Sequence, residues 1–325
     1  MSRWYLAGAL ALAAAVPAAA QTPSITGVFP AGGQIGATVE AAIVGGNLAE
    51  PQAILVSGSG VKVEKGTGGS AGSWPVKISI APDAEVGMRE IRVVTRTGAS
   101  NAGRIWVDRF PSLLEKEPND QSAEAQVLDK LPGTIDGRIE KPTDVDRFTF
   151  QATAGETWVF SVNAARHLSD LDPYLTLFDA RGRSIDFAME NFGRDPRLVH
   201  KFRTSGKYTI EVRDTLYRGG AGYTYRLTLG KLPVVTRWSP RGGQRGQTVN
   251  VTLAGINLGD ISGVQVAIPN DPQRDRIQVV PRTPVGPANP IDLFVDDGPE
   301  AAEKEPNNEV KVATRPGLLP LRASG

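Results

Sequence analysis

The chain contains no cysteine and only two histidines among its 325 residues. Without cysteine it can form no disulfide, thiol nucleophile or thiolate metal site. His167 and His200 stand in no nucleophile motif, and the sequence has no HExxH motif, phosphate-binding P-loop or dinucleotide fingerprint. We therefore expect a protein that is not an enzyme and has no catalytic residue.

The chain also lacks a charge bias, long apolar runs beyond its first residues, and aromatic residues in number. Lysine and arginine (36) balance aspartate and glutamate (35), and the basic residues are dispersed, which argues against a nucleic-acid partner. No segment after residue 20 is apolar enough to span a bilayer. Aromatics make up 6%, whereas 36 glycines and 24 prolines favour short strands joined by turns.

The first twenty residues have the features of a secretory signal peptide. Arg3 supplies the positive charge, and Tyr5–Val16 is an apolar run too short for a membrane span. Ala18–Ala20 meets the small-residue rule for cleavage before Gln21. We expect a secreted, periplasmic or cell-surface protein.

An acidic motif, EKEPND at residues 115–120, returns as EKEPNN at 303–308. Glu115, Glu117 and Asn119 are spaced two apart, so in an extended segment their side chains leave from one face. The proline after Glu117 favours that extended backbone. Three oxygen-bearing side chains could then converge on one side.

Further carboxylates lie close in sequence: Asp120 at the bend, and Asp144 and Asp146 just before a predicted strand. Ca²⁺ takes about six to eight oxygen ligands, so the first motif needs the second group to complete a site. A solvated acidic linker without metal explains the same spacing. Spacing alone leaves both interpretations open.

Residues 21–110 predict an antiparallel sandwich of short alternating strands, including Thr38–Val44, Val76–Ile80 and Arg89–Val94. The opening ITGVFPAGGQIGATVEAAIVGGNL resembles the immunoglobulin-like IPT/TIG module. The matching positions are Pro30, Gly32, Gly33, Gly36 and the Gly46-Asn47-Leu48 segment. The resemblance implies a structural spacer or interaction domain.

Residues 111–232 predict a jelly-roll sandwich, because about eight short alternating strands fit within one domain. The predicted strands are Gly133–Ile139, Arg147–Ala152, Thr157–Asn163, Tyr174–Asp179, Leu198–Phe202, Tyr208–Asp214 and Tyr223–Leu229.

Six segments of this block occur in the order of the bacterial pre-peptidase C-terminal domain: EKEPND, DVDRFTF, AGETWVFSV, LDPYLTLFDARG, SGKYTIEVRD and YTYRLTL. The block resembles that domain, and is similar to the collagen-binding domains of clostridial collagenases. The resemblance implies a structural Ca²⁺ held by an acidic linker and an aspartate pair. The residues of this chain at the corresponding positions, and so the ligands that the resemblance implies, are Glu115, Glu117, Asn119, Asp120, Asp144 and Asp146.

Other residues of the block have simpler interpretations. Asp172 and Asp179 could add ligands, but turn and strand-entry positions explain both. Four tyrosines could form a ligand-binding surface, although strand spacing favours half-buried sheet residues: Tyr174, Tyr208, Tyr223 and Tyr225.

The sequence repeats. VFPAGGQIGATV at 28–39 returns as WSPRGGQRGQTV at 238–249, a shift of 210, whereas NAGRIWVD at 101–108 returns as NPIDLFVD at 289–296, a shift of 188. The second immunoglobulin-like block, 233–300, is therefore shortened by 22 residues, which we place within Val56–Thr97 of the first. Residues 301–325 read as the start of a truncated second pre-peptidase-type domain.

These observations predict a secreted, non-catalytic array of β-sandwiches whose central domain is stabilised by calcium. Its role would be adhesion, spacing, or binding of an extracellular matrix protein or polysaccharide. The alternative is the accessory region of a secreted peptidase or other hydrolase whose catalytic domain lies outside this chain.

Overall fold

The computed structural model describes residues 21–298, 300–302, 306, 308–309 and 322–324. Over these residues the backbone is almost entirely β-strand, with one 3-10 turn at Ala165–His167. The strands form sheets around three separate apolar cores, which confirms the predicted all-β class of tandem sandwiches. No helix in these ranges is long and apolar enough to cross a membrane. The predicted signal peptide lies outside the described residues.

The first sandwich consists of β1 (Ser24–Phe29), β2 (Gly32–Gln34), β3 (Thr38–Gly46), β4 (Ala53–Val56), β5 (Val61–Lys65), β6 (Ser73–Ile80), β7 (Gly87–Thr95), β8 (Gly98–Ala99) and β9 (Gly103–Asp108). One sheet has the order β1-β3-β6-β5 and the other β2-β9-β7-β4, with β8 paired to β7. Alternate side chains such as Ile43, Ile78 and Ile91 are fully buried between the sheets.

The central sandwich consists of β10 (Ser112–Leu114), β11 (Gln126–Val127), β12 (Gly133–Arg138), β13 (Val145–Ala152), β14 (Thr157–Asn163), β15 (Pro173–Phe178), β16 (Ser184–Met189), β17 (Arg197–Lys201), β18 (Gly206–Asp214) and β19 (Thr224–Gly230). Its sheets have the orders β10-β12-β19-β14-β17 and β11-β13-β18-β15-β16. Apart from the edge strands β10 and β11, this is the arrangement of a jelly roll.

Three of these strands, β10, β11 and β16, escape the sequence pattern. The first two are short edge strands that pair in parallel with β12 and β13. On β16 the apolar side chains of Ile185, Phe187 and Met189 are exposed, while Ala188 is buried. These three side chains alternate along the strand, but they point to solvent and only Ala188 points to the core.

The third sandwich consists of β20 (Val234–Ser239), β21 (Gly242–Gln244), β22 (Thr248–Ile256), β23 (Gly263–Ala267), β24 (Arg276–Val279), β25 (Arg282–Thr283), β26 (Gly286–Pro287) and β27 (Ile291–Asp296). Its sheets have the orders β20-β22-β23 and β21-β27-β24, with β25-β26 as a separate pair. Beyond it, β28 (Glu300–Ala302) pairs in parallel with β29 (Arg322–Ser324).

The strand registers locate the 22-residue difference between the two immunoglobulin-like blocks. Thr38 of β3 pairs with Ser79 of β6, whereas Thr248 of β22 pairs with Ala267 of β23. From Thr38 to Thr248 the shift in residue number is 210, whereas from Ser79 to Ala267 it is 188. The missing material therefore lies between β3 and β6, so it overlaps the start of the predicted range Val56–Thr97 and also extends before it. It comprises β4 and β5, and both are edge strands, so the shorter block still closes around a core.

Two asparagines brace equivalent positions in the repeated blocks. The side chain of Asn101 accepts from the backbone N–H of Ile25 (2.8 Å) and donates to its carbonyl oxygen (2.8 Å). Asn289 makes the same two bonds to Val235, at 2.7 and 3.1 Å. The repeat seen in the sequence is therefore a repeat of structure.

The three sandwiches meet at a small apolar cluster. Phe110, Val159, Leu232 and Val234 are buried there, and Ile256 packs against them. Val159 belongs to the central sandwich, Val234 and Ile256 belong to the third, and Phe110 and Leu232 lie in the segments that connect the central sandwich to its neighbours.

Candidate metal centre

The side chains of Glu115, Glu117 and Asp146 converge at one end of the central jelly roll. One carboxylate oxygen of each lies within 4.8 Å of the others. Glu115 directly follows β10, and its backbone N–H donates to the carbonyl oxygen of Asp136 on β12 (3.1 Å). Asp146 lies on β13 in the opposite sheet. The centre thus joins the linker to both sheets.

Glu115 and Asp146 share a buried tyrosine. The Tyr225 hydroxyl is 2.6 Å from Asp146 Oδ2 and 3.0 Å from Glu115 Oε2. The backbone N–H of Arg138 donates to Glu115 Oε1 at 2.8 Å. Tyr225 stands opposite Gly137 in the β12–β19 register, and a side chain at Gly137 would overlap both Tyr225 and Glu115.

Two buried residues of the centre carry polar atoms without partners. Asn119 is fully buried, and neither its amide oxygen nor its amide nitrogen has a hydrogen-bond partner among the described residues. Asp146 Oδ1 is likewise buried and unpaired. Because buried polar atoms are almost always satisfied, these oxygens fit a site that a cation completes.

Asp120 and Asp144 lie beside this group rather than within it. Asp120 Oδ1 accepts from the backbone N–H of Val145 at 3.2 Å. Asp144, also buried, accepts through Oδ2 from the backbone N–H of Glu140 at 2.5 Å. The structure therefore brings Glu115, Glu117 and Asp146 closest together, with the other predicted residues as neighbours.

Burial and mutual repulsion raise the pKa values of the carboxyl groups. Burial raises the pKa of Glu115 to about 7. It raises the pKa of Asp146 well above its usual range, and the charge of Glu115 adds to that effect. Burial, then the charge of Asp144, raises the pKa of Glu117. Ionising this group in full requires a compensating positive charge.

Tyr225, predicted to occupy a half-buried sheet position, is part of the centre. The structure buries it fully. The available signal was Gly137, a glycine inside a predicted strand, which indicates a close approach by another group. Of the other tyrosines, Tyr208 is buried, whereas Tyr174 and Tyr223 are partly exposed.

Asp172 and Asp179 lie outside the group of three. Asp179 organises a turn: its carboxylate accepts from the backbone N–H groups of Arg181 (2.9 Å) and Arg183 (3.0 Å). The backbone N–H of Asp172 donates to Asp214 Oδ2 at 3.1 Å. The turn interpretation of Asp179 is therefore confirmed.

Among the described residues, neither histidine is hydrogen-bonded both to a carboxylate and to a hydroxyl group. His167 is buried, with Nε2 3.2 Å from Thr224 Oγ1, but its Nδ1 has no partner in the described part of the chain. A triad needs an acid at that second nitrogen. His200 Nδ1 is 2.7 Å from Asp186 Oδ2, and its ring packs edge-on against Phe202.

An aromatic face lies on the outer side of β15 and β16. Tyr174 and Phe187 stack in parallel at 5.9 Å, and Phe187 is 58% exposed. The guanidinium of Arg213 lies 4.1 Å from the Tyr174 ring centre and 4.5 Å from that of Tyr217. This aromatic face (Tyr174, Phe187, Arg213 and Tyr217) exposes ring surface suited to stacking contacts.

No family model matches the chain. A probable subtilase-type serine protease of Deinococcus radiodurans is 35% identical over 98 residues, which is 30% of this chain. The chain spans 14% of the length of that curated relative.

Several solved structures are similar in part. The pre-peptidase C-terminal domain of a Bacillus anthracis collagenase is 21% identical, with a TM-score of 0.27, covering 36% of this chain and 100% of that one. PliG, a periplasmic inhibitor of g-type lysozyme from Aeromonas hydrophila, is 18% identical (TM-score 0.25; 33% and 94% covered). The glucan-utilisation protein SGBP-B of Bacteroides ovatus is 11% identical (TM-score 0.22; 57% and 73% covered). A pre-peptidase C-terminal domain is thus among the structures similar to this chain, as its central block predicted.

Proposed function

We propose that the protein is a secreted, non-catalytic binding module whose central jelly roll is stabilised by Ca²⁺. The observation that carries the proposal is the convergence of Glu115, Glu117 and Asp146 beside the buried, unpaired amide of Asn119. Three carboxylates with raised pKa values and an orphaned amide oxygen form an all-oxygen set, which suits a hard cation.

The ion would be held by carboxylate oxygens of Glu115, Glu117 and Asp146 and by the amide oxygen of Asn119. Asp120 and Asp144 are the remaining candidates on the adjoining loop. Calcium would supply the positive charge that this buried group lacks, and so fix the linker to both sheets. Its role would be structural, because the centre contains no nucleophile arranged for catalysis.

Calcium titration by isothermal calorimetry tests the site. We expect one bound ion in the wild-type protein, and strong weakening in Glu117→Gln, which keeps the size of the side chain and removes its charge. Glu124→Gln is the matched control, since Glu124 is exposed in the same loop and outside the group. Equal affinity in the two variants, or no binding by the wild type, would contradict the proposal.

The aromatic face is the proposed contact surface for an extracellular matrix protein or a polysaccharide. Exposed stacked rings offer apolar area to a sugar ring or to an imino-acid-rich strand. Co-sedimentation with fibrillar collagen and with insoluble polysaccharides tests this role. Phe187→Ala should abolish retention. Leu55→Ala, which removes a 53% exposed side chain from the first sandwich, should not. Retention of both variants at the wild-type level would contradict this assignment.

A second candidate function is accessory to a peptidase. It is favoured by the 35% identity with a probable subtilase-type protease over 98 residues. An accessory role predicts that fusing this chain to a subtilase catalytic domain accelerates cleavage of insoluble but not of soluble protein. Equal acceleration of both substrates, or of neither, would count against it.

A further inference from the structure

A cavity of about 200 Å³ lies where the three sandwiches meet, apart from the candidate metal centre. The first sandwich contributes Trp106 and Arg109, and the third contributes Asn289 and Pro290. The central sandwich contributes the largest share of the lining residues. One wall is the apolar cluster described above, through Val159, Leu232 and Val234.

Four arginines line this cavity: Arg109, Arg166, Arg197 and Arg226. Two of them are neutralised by buried carboxylates. Arg226 pairs with Asp136 at 2.6 Å, and Arg166 pairs with Asp195 at 2.6 Å.

The other two arginines form no salt bridge with a carboxylate among the described residues. Arg109 lies 4.8 Å from the ring centre of Phe110, and its Nη1 donates to the carbonyl oxygen of Pro287. Arg197 lies 3.6 Å from the ring centre of Phe192. The cavity therefore contains two guanidinium groups that are held by aromatic rings rather than by acids.

Two buried polar atoms on the wall also lack partners. Arg197 Nε, a donor, and Asn163 Oδ1, an acceptor, have none among the described residues. Both residues belong to the sheet that faces the cavity, on β17 and β14. A buried donor and a buried acceptor that both lack a hydrogen-bond partner indicate a ligand that can accept one hydrogen bond and donate another.

The pKa values of Arg109 and Arg197 reflect their burial and the absence of a salt bridge among the described residues. Burial lowers the pKa of Arg109 to about 10; Asp108 raises that pKa and Arg197 lowers it. Burial, followed by the charge of Arg166, lowers the pKa of Arg197 to about 10. Both groups remain charged at neutral pH. Asp108 also lines the cavity, but it pairs with Arg226 at 3.3 Å, so the wall keeps a positive balance in a half-enclosed space.

We propose that this cavity is a binding site for a small oxyanion, such as phosphate, sulfate or the acid group of a small sugar acid. The planar guanidinium groups of Arg109 and Arg197 suit bidentate contact with such groups. The cavity is smaller than the roughly 300–1,000 Å³ of pockets for drug-sized ligands, which restricts the ligand to a small molecule. A hydroxyl on the anion would donate to Asn163 Oδ1. An anion bound here would also link the three sandwiches.

Calorimetric titration of the protein in Tris chloride with phosphate, sulfate, acetate and glucuronate tests the proposal. We expect saturable binding and a rise in the unfolding temperature that sodium chloride of equal ionic strength does not reproduce. Tighter binding of phosphate and sulfate would identify an inorganic anion. Tighter binding of glucuronate than of acetate would identify a sugar acid and a role for Asn163.

Arg197→Gln should weaken binding roughly ten- to a hundredfold, the loss expected when a charge-assisted hydrogen bond is removed. Arg197→Lys keeps the positive charge but loses the two parallel N–H donors of the guanidinium, so its affinity should lie between those of the wild type and Arg197→Gln. It replaces Arg197→Gln in the test if that variant does not fold. Arg181→Gln, at an exposed arginine on a turn of the same sandwich, is the control and should bind as the wild type does. Absence of saturable binding by the wild type, or equal weakening by Arg181→Gln, would overturn the proposal.

Discussion

Tyr225 donates its hydroxyl proton to Asp146 across the two sheets of the jelly roll, over 2.6 Å. Tyr225 lies on β19 and Asp146 on β13, so the bond joins strands that share no backbone ladder. The same hydroxyl reaches Glu115 in the linker. One phenol therefore holds two of the three converging carboxylates in position.

Replacing Tyr225 by Phe removes this donor and leaves the ring in place. We expect calcium affinity to fall about 10- to 100-fold, as is typical when a residue that orients metal ligands is lost. Tyr208→Phe is the matched control, because its buried hydroxyl bonds to the carbonyl oxygen of Thr204 away from the centre. Calcium titration of both variants checks the prediction. A similar loss in both would show that Tyr225 has no specific role in orienting the ligands.

Replacing Gly137 by Ala should destabilise the central sandwich by about 1–3 kcal/mol, because the new methyl group overlaps Tyr225 and Glu115. Gly27→Ala places a methyl group in open space on the first sandwich and is the control. Urea unfolding gives the free energy of each variant. Equal stability of Gly137→Ala and the wild type would show that the close approach is relaxed at no cost.

Replacing Arg226 by Met should destabilise the protein by about 3–5 kcal/mol, because it leaves the buried Asp136 carboxylate without its counter-ion. Both partners are almost fully buried, and Asp136 also accepts from the backbone N–H of Ala31 in the first sandwich. Adding Asp136→Asn should recover part of the loss. Arg276→Met removes an exposed pair with Asp292 and should cost less than about 1 kcal/mol. Calorimetric unfolding gives the stability of the wild type, the two single variants and the double variant. Equal losses in Arg226→Met and Arg276→Met would contradict the assignment.

His167 should make the protein less stable in mild acid. Burial lowers the pKa of His167 to about 4 in the folded state, against about 6.5 in the unfolded chain. Between these pH values the unfolded state binds more protons, so stability falls as pH falls, by up to about 3 kcal/mol from this group. His167→Gln should remove that dependence. The difference in unfolding free energy between wild type and variant, followed from neutral pH to about pH 4, checks the prediction; a constant difference would contradict it.

The sequence predicts the sandwiches well because strand alternation and turn residues are local signals. Tyr208–Asp214, for example, coincides with most of β18. β16 lies outside the predicted strands although Ile185, Phe187 and Met189 alternate along it, and the structure exposes all three side chains. The site of the 22-residue deletion also required the structure, because the residue pairing of β22 with β23 locates it.

Spacing suggests only that Glu115 and Glu117 face the same side of an extended segment; the approach of Asp146 to them depends on the fold. Tyr225 and Arg226 could not be assigned from local sequence. Their roles depend on partners about 80 to 110 residues away in the chain, which the sheet order brings together. The arginine-lined cavity likewise depends on contacts between sandwiches, which no local pattern encodes.

The measurement that tests the calcium site most directly is thermal unfolding of the wild type and Glu117→Gln, each in saturating calcium and in excess chelator. Calcium at about 100-fold over its dissociation constant should stabilise the wild type by roughly 2.7 kcal/mol, a shift of several degrees. Burial and the neighbouring charges of Asp144 and Asp120 raise the pKa of Glu117. In chelator Glu117→Gln should therefore be at least as stable as the wild type, and in calcium it should be less stable. This reversal of order is the predicted result; the same order in both conditions, with no calcium-dependent shift in the wild type, would contradict the account.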